Sequence, residues 1–104
     1  MKYEVIITKS ASEDLIGIHE YIHEALVAPQ TAKNQLLRIK KAIDSLDFMP
    51  ERFRLYNQKL DATLRSMIVD NYCVFFDINT EKNMVIVHHI YYAGRDLDKA
   101  MFLI

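Results

Sequence analysis

From residue 64 onward the chain alternates runs of strand formers with short polar breaks, and this pattern limits the fold more tightly than any other feature. The runs cover residues 64–69, 72–78 and 84–92, and the last is unbroken from Met84 to Tyr92. They are rich in aromatic and β-branched side chains, which suit a pleated, half-buried surface. Asp70-Asn71 and residues 79–83 separate them. Breaks this short are hairpin turns, so the three strands form an antiparallel meander.

Upstream the period changes. Residues 3–8 form a short strand, with Ile6 and Ile7 adjacent, which suggests burial on both faces. Ser10 is a candidate N-cap with Glu13 three residues on, the spacing of a capping box. Leu15, Ile18, Ile22, Ala25 and Leu26 then recur at helical spacing. Pro29 suits the first turn of a second helix, whose apolar stripe is Ala32, Leu36, Ile39, Ile43 and Leu46. A short connection makes the two helices an antiparallel hairpin. Residues 48–62 read as irregular. Gly94 ends the last strand, and residues 96–103 suit a short terminal helix.

The expected fold is therefore α+β: an N-terminal strand, an antiparallel helix hairpin, then a three-stranded antiparallel meander, with the helices on one face of a twisted sheet. With 104 residues and only two Gly and two Pro, no linker interrupts the chain, and residues 1–104 read as a single domain. Apolar residues at 51% supply a core without staples. The one cysteine, Cys73, excludes an internal disulfide. The start has no signal-peptide pattern and no run is long enough to span a membrane, so the expected location is cytoplasmic.

Several motifs invite chemistry. His19-Glu20-Tyr21-Ile22-His23 matches the zinc-protease pattern H-E-x-x-H. Helical geometry turns Glu20 about 180° from the apolar stripe, so it points into water rather than into a cleft. No third ligand is evident, so neither a metal nor a cofactor is expected. His88 and His89 are neighbours in a strand, where alternation sends them to opposite faces and leaves one on the exposed side as a candidate acid or base. Cys73 has no evident base partner and reads as a small apolar residue.

The net charge of -1 and pI near 6.4 argue against binding nucleic acid through bulk positive charge. The charge is nonetheless segregated. Residues 1–28 carry two basic and five acidic side chains, and residues 67–104 carry three and five. Residues 29–66 carry eight basic and four acidic, with Phe53 and Tyr56 interleaved. Lys40, Arg52 and Arg54 in this basic middle are candidates to meet an acidic protein segment.

The stretch from Leu64-Arg65-Ser66 to Tyr72-Cys73-Val74-Phe75-Phe76, followed by Val85-Ile86-Val87-His88-His89-Ile90-Tyr91-Tyr92-Ala93-Gly94-Arg95-Asp96, resembles the RelE/ParE toxin superfamily. The helical hairpin and the loop Phe48-Met49-Pro50-Glu51-Arg52-Phe53 agree with it, so the resemblance covers nearly the whole chain. It implies the toxin of a bacterial type II toxin–antitoxin system, a growth inhibitor linked to plasmid stabilization and held by a cognate antitoxin. RelE-like members cut messenger RNA on the ribosome, whereas ParE-like members poison DNA gyrase.

Within that resemblance Arg65 and Arg95 match arginines common to many members, and one of His88 and His89 with one of Tyr91 and Tyr92 could supply further catalytic parts, His89 and Tyr91 being the preferred candidates. RNA-cleaving members carry an arginine directly after the tyrosine of the third strand, where this chain has Cys73. The resemblance therefore leans toward a ParE-like inhibitor acting on gyrase. The alternatives are a RelE-like ribosome-dependent endoribonuclease and a degenerate member without toxicity.

Overall fold

The computed structural model describes residues 2–56 and 63–93. Strand β1 (Glu4–Ile7) leads into helix α1 (Lys9–Glu20), which continues as a π-helical turn over Tyr21–Ala25. Helix α2 (Pro29–Asp44) comes next, and two short 3-10 turns at Ser45–Asp47 and Pro50–Arg52 lead toward the meander β2 (Arg65–Val69), β3 (Tyr72–Asn79) and β4 (Met84–Tyr92). The sheet order is β1-β4-β3-β2. The meander is antiparallel, as its short turns require, while β1 pairs parallel with β4 after the helical crossover.

Both helices pack on one face. Ala11 of α1 and Ile39 and Ile43 of α2 are buried against Met67, Val74, Phe76, Val85, Val87 and Ile90 of the sheet. Of the expected stripe, Ala32, Ile39 and Ile43 are buried on α2 and Leu46 in the turn after it, while Leu36 is only half-buried and Gln35 is buried beside it, donating to Asp70 Oδ2 at 2.9 Å. Asp70 sits in the β2–β3 turn with φ 55° and also receives Arg38 Nε at 2.8 Å. These bonds hold its carboxyl below the usual carboxylate range, the Arg38 bond contributing most. A tight turn is thereby tied to the middle of α2.

Two details differ from the sequence expectation. The N-cap of α1 is Thr8, whose Oγ1 accepts from Ala11 N at 3.2 Å, rather than Ser10. Thr8 Oγ1 also donates to His88 O at 3.2 Å, so the cap is fixed by the sheet as well as by the helix. At the other end, the π-helical turn adds a residue and rotates the chain beyond it, so Ile22 stays buried but Ala25 and Leu26 turn to solvent. Val27 then takes φ 49°, a costly conformation for a β-branched residue. The terminal helix expected over residues 96–103, Gly94 and Arg95 lie outside the described residues.

Candidate functional site

The sheet face opposite the helices carries the candidate chemistry, and one irregularity builds it. The β3–β4 ladder pairs Phe75 with His89 but Phe76 with Val87, leaving His88 as an extra residue in a β-bulge. The bulge resets alternation along β4. Val85 and Val87 face the core before it and Ile90 after it, whereas regular alternation would have sent His89 inward instead. Both histidines consequently lie on the open face, which corrects the expectation that they point to opposite sides.

Each imidazole is held by a carboxylate. His88 Nε2 lies 3.0 Å from Asp77 Oδ2, with Asp77 on the neighbouring strand. His89 Nδ1 lies 3.3 Å from Asp14 Oδ2, and Asp14 comes from α1. The same Asp14 oxygen accepts the Ile90 backbone N–H at 3.0 Å. β1 pairs with β4 only as far as Val87, so Asp14 satisfies a backbone donor where the partner strand has ended. His89 is 13% exposed and its ring stacks on Tyr91 at 5.1 Å between centroids. A carboxylate at Nδ1 favours the tautomer with the proton there and leaves Nε2 as an acceptor, the arrangement of an oriented general base.

Beside them lies a second apolar cluster, where Leu64, Cys73 and Phe75 are buried under Tyr56 and Tyr91. Tyr56 meets Phe75 edge-on at 4.8 Å. Cys73 is 1% exposed, and burial pushes its thiol up to about 11. It is neither a nucleophile nor a metal ligand at neutral pH, which agrees with its reading as a small apolar residue.

The candidate arginines are distributed differently. Arg65 pairs with Phe76 and so lies on the helix-side face, away from His89 and Tyr91. Its Nη1 donates to Phe53 O at 2.6 Å and to Glu51 O at 3.4 Å, tying the loop after α2 to the sheet. Arg52 donates to the carbonyls of Phe48 and Met49 and stands 4.6 Å above the Phe53 ring, a cap for the end of the second helical segment. Arg38 is held by Asp70. Lys40 and Arg54 are exposed. Arg54 precedes Tyr56 by two residues along the segment that pairs with β2, through Ser66 N to Arg54 O at 3.3 Å and Tyr56 N to Leu64 O at 2.7 Å. Alternation therefore puts Arg54 on the open face with Tyr56.

The structure thus brings His89 and Tyr91 together, adds His88 and Arg54 to their face, and separates them from Arg65. Asp14 and Asp77 are site residues that sequence reasoning missed. His19 on α1 and His23 on the π-helical turn have their rings 5.5 Å apart at a tilt of 31°, with Glu20 and His23 in solvent. Among the described residues no group of three or more His, Cys, Asp or Glu is gathered to hold a metal ion. None of the described helices is long and apolar enough to cross a membrane.

A family model described as the ParE toxin of the type II toxin–antitoxin system, parDE, matches residues 5–97. Toxin RelE2 of Caulobacter vibrioides is 41% identical over 66 residues, which cover 64% of this chain and 68% of that toxin. Among solved structures, the chromosomal ParDE system of P. aeruginosa includes a similar chain, with TM-score 0.73 at 14% identity over 88% of this chain and 96% of that one. The RelBE2 toxin–antitoxin complex of Mycobacterium tuberculosis includes another, with TM-score 0.64 at 19% identity over 88% and 99%. A free mutant of the E. coli toxin RelE gives TM-score 0.61 at 15% identity over 96% and 93%.

Proposed function

The chain belongs to the ParE toxin family of type II toxin–antitoxin systems, and from that premise we propose that it arrests growth by binding DNA gyrase in the cytoplasm and that a cognate antitoxin neutralises it. The allocation of the arginines carries the choice of binding over RNA cleavage. Breaking a phosphodiester without a metal needs fixed cations where charge develops on the phosphate. Arg38, Arg52 and Arg65 direct donors to Asp70 and to loop carbonyls, and Arg54, on the histidine face, is exposed with no ion pair among the described residues to fix it. Cys73, in the position that RNA-cleaving members fill with arginine, is a buried and protonated thiol.

The antitoxin reading is supported by relatives whose solved forms are complexes, the M. tuberculosis RelBE2 pair and the RelE–RelB pair of Pyrococcus horikoshii. It is supported equally by surface that a monomer leaves open. Tyr21, Leu26, Ile68 and Tyr92 are all more than half exposed. Lys40 and Arg54, which form no ion pair among the described residues, are available to an acidic part of that partner.

A second reading, RNA cleavage, has one specific observation behind it. The bulge sets two carboxylate-held imidazoles, His88 and His89, beside Tyr91 on one face. One imidazole could take the 2′-hydroxyl proton and the other protonate the leaving oxygen.

Induced expression in a bacterial host, with and without a co-expressed candidate antitoxin, tests both readings. The gyrase reading predicts growth arrest, relaxed plasmid DNA, intact messenger ends and rescue by the antitoxin. Arrest with new messenger 5′ ends and normal supercoiling would transfer the function to RNA cleavage. Expression without any arrest would leave a non-toxic member.

A further inference from the structure

A groove of about 750 Å³ opens between the tip of the helical hairpin and the end of the sheet where β3 begins and β4 finishes. Its walls pair carboxylates with aromatic rings. Glu13 and Asp14 come from α1, Tyr21 from the π-helical turn, and Tyr72, Tyr91 and Tyr92 from the sheet. No lysine or arginine lines it among the described residues. The surface here is apolar and open: Tyr21, Leu26 and Tyr92, all in the groove wall, are 59%, 56% and 53% exposed.

The carboxylates have capacity to spare. Asp14 makes its contacts to His89 and Ile90 through Oδ2 alone, and its Oδ1 has no hydrogen bond among the described residues. Glu13 is exposed and forms no ion pair among them. The Tyr72 ring stays neutral: desolvation raises its phenol above the ordinary value, with Tyr92 and Tyr21 adding to the effect. Neutral rings beside carboxylates attract a cation through both the ring quadrupole and direct charge. An acidic partner would meet like charge here.

We propose that this groove receives a segment of the antitoxin in which a lysine or arginine is flanked by apolar side chains, its cation seated between Glu13, Asp14 and the tyrosine rings. The proposal rests on the antitoxin reading and adds the chemistry of the docked segment. It divides the electrostatics of the partner. An acidic stretch meets Arg54 on the open sheet face, and a basic anchor meets the helix-hairpin end, where residues 1–28 carry five acidic side chains against two basic. The anchor also reaches the carboxylate that orients His89, so occupation of the groove competes for Asp14.

Gly17 gives a clean way to close the groove. It lies in the groove wall on α1, and a Cβ added there meets nothing within 4 Å. Replacing a helical glycine also favours the helix, so Gly17→Leu projects a side chain from this open position, with its fold checked by circular dichroism.

The probes are two blocked tripeptides, acetyl-Leu-Arg-Leu-amide and acetyl-Leu-Glu-Leu-amide, titrated at millimolar concentration into the labelled protein and followed by NMR. The expected result is a shift of Tyr21, Tyr72 and Tyr92 signals with the arginine peptide and none with the glutamate peptide. Glu13→Gln should weaken that binding about threefold, the scale of one exposed charge pair, and Gly17→Leu should abolish it. Equal shifts from both peptides, or shifts confined to other surfaces, would overturn the proposal. So would shifts of the same tyrosines on raising protein concentration alone, which would assign the groove to a second copy of the chain. No antitoxin is present in the titration, so a failed growth rescue and a failed titration are separate results.

Discussion

Asp14 on α1 and His89 on β4 are 75 positions apart in sequence and 3.3 Å apart in space, through Asp14 Oδ2 and His89 Nδ1. The contact exists because β1 ends at Ile7, one turn of helix then lies across the uncovered edge of β4, and the bulge at His88 turns His89 outward. A single carboxylate thereby caps a strand, orients an imidazole and lines the groove beneath the helix hairpin.

If growth arrest comes from binding gyrase, neither imidazole performs chemistry in it. Replacing both, His88→Gln with His89→Gln, should leave growth arrest within a few-fold of the parent while a folding control by circular dichroism is unchanged. Loss of arrest in a folded double variant would favour the RNA-cleavage reading.

Arg65 acts as a tie between the sheet and the loop after α2. Arg65→Ala leaves the carbonyl of Phe53 without its charged donor. Unfolding in urea should show a loss of about 1.5–3 kcal/mol, the range for hydrogen bonds to charged groups. Arg65→Lys should recover only part of it, since one ammonium does not reproduce the guanidinium fork.

The Asp70 carboxyl is lower in the folded chain than in the unfolded one, because Arg38 and Gln35 bind its ionised form. Its contribution to stability is therefore present above the ordinary carboxylate range and is lost as pH falls through the lowered folded value. Asp70→Asn keeps a side chain that tolerates φ 55° but removes the charge. Thermal melts of the variant should lie below the parent near neutral pH and converge with it under acid conditions.

Burial and a thiol pushed up to about 11 make Cys73 inert in the native state. Iodoacetamide at mildly alkaline pH should modify it at the rate of global or local opening, and rapidly once denaturant is added. Rapid modification of the native protein would contradict the packing of Leu64, Phe75 and Tyr91 around it.

Much of this architecture is legible in the residues themselves. The stripe Ala32, Ile39, Ile43 and Leu46 and the runs on either side of Asp70-Asn71 carry their period locally, so helix, strands and turn can be read from spacing. The site is less legible because its determinants are not periodic. An extra residue at His88 leaves no mark in an unbroken run of strand formers, yet it changes which side chains face out. Asp14 looks like any polar helix residue until the end of β1 exposes the Ile90 N–H. Arg65 lies at the expected position in the sequence, but its guanidinium turns to carbonyls contributed by a loop. The role of Arg95 as a candidate site residue concerns the segment outside the described residues.

Growth arrest through gyrase is probed head-on by adding the purified protein to gyrase and relaxed plasmid and measuring ATP-dependent supercoiling. Binding to gyrase predicts a dose-dependent loss of supercoiling that the antitoxin reverses. Unchanged supercoiling at a molar excess of a protein that still arrests growth would refute it.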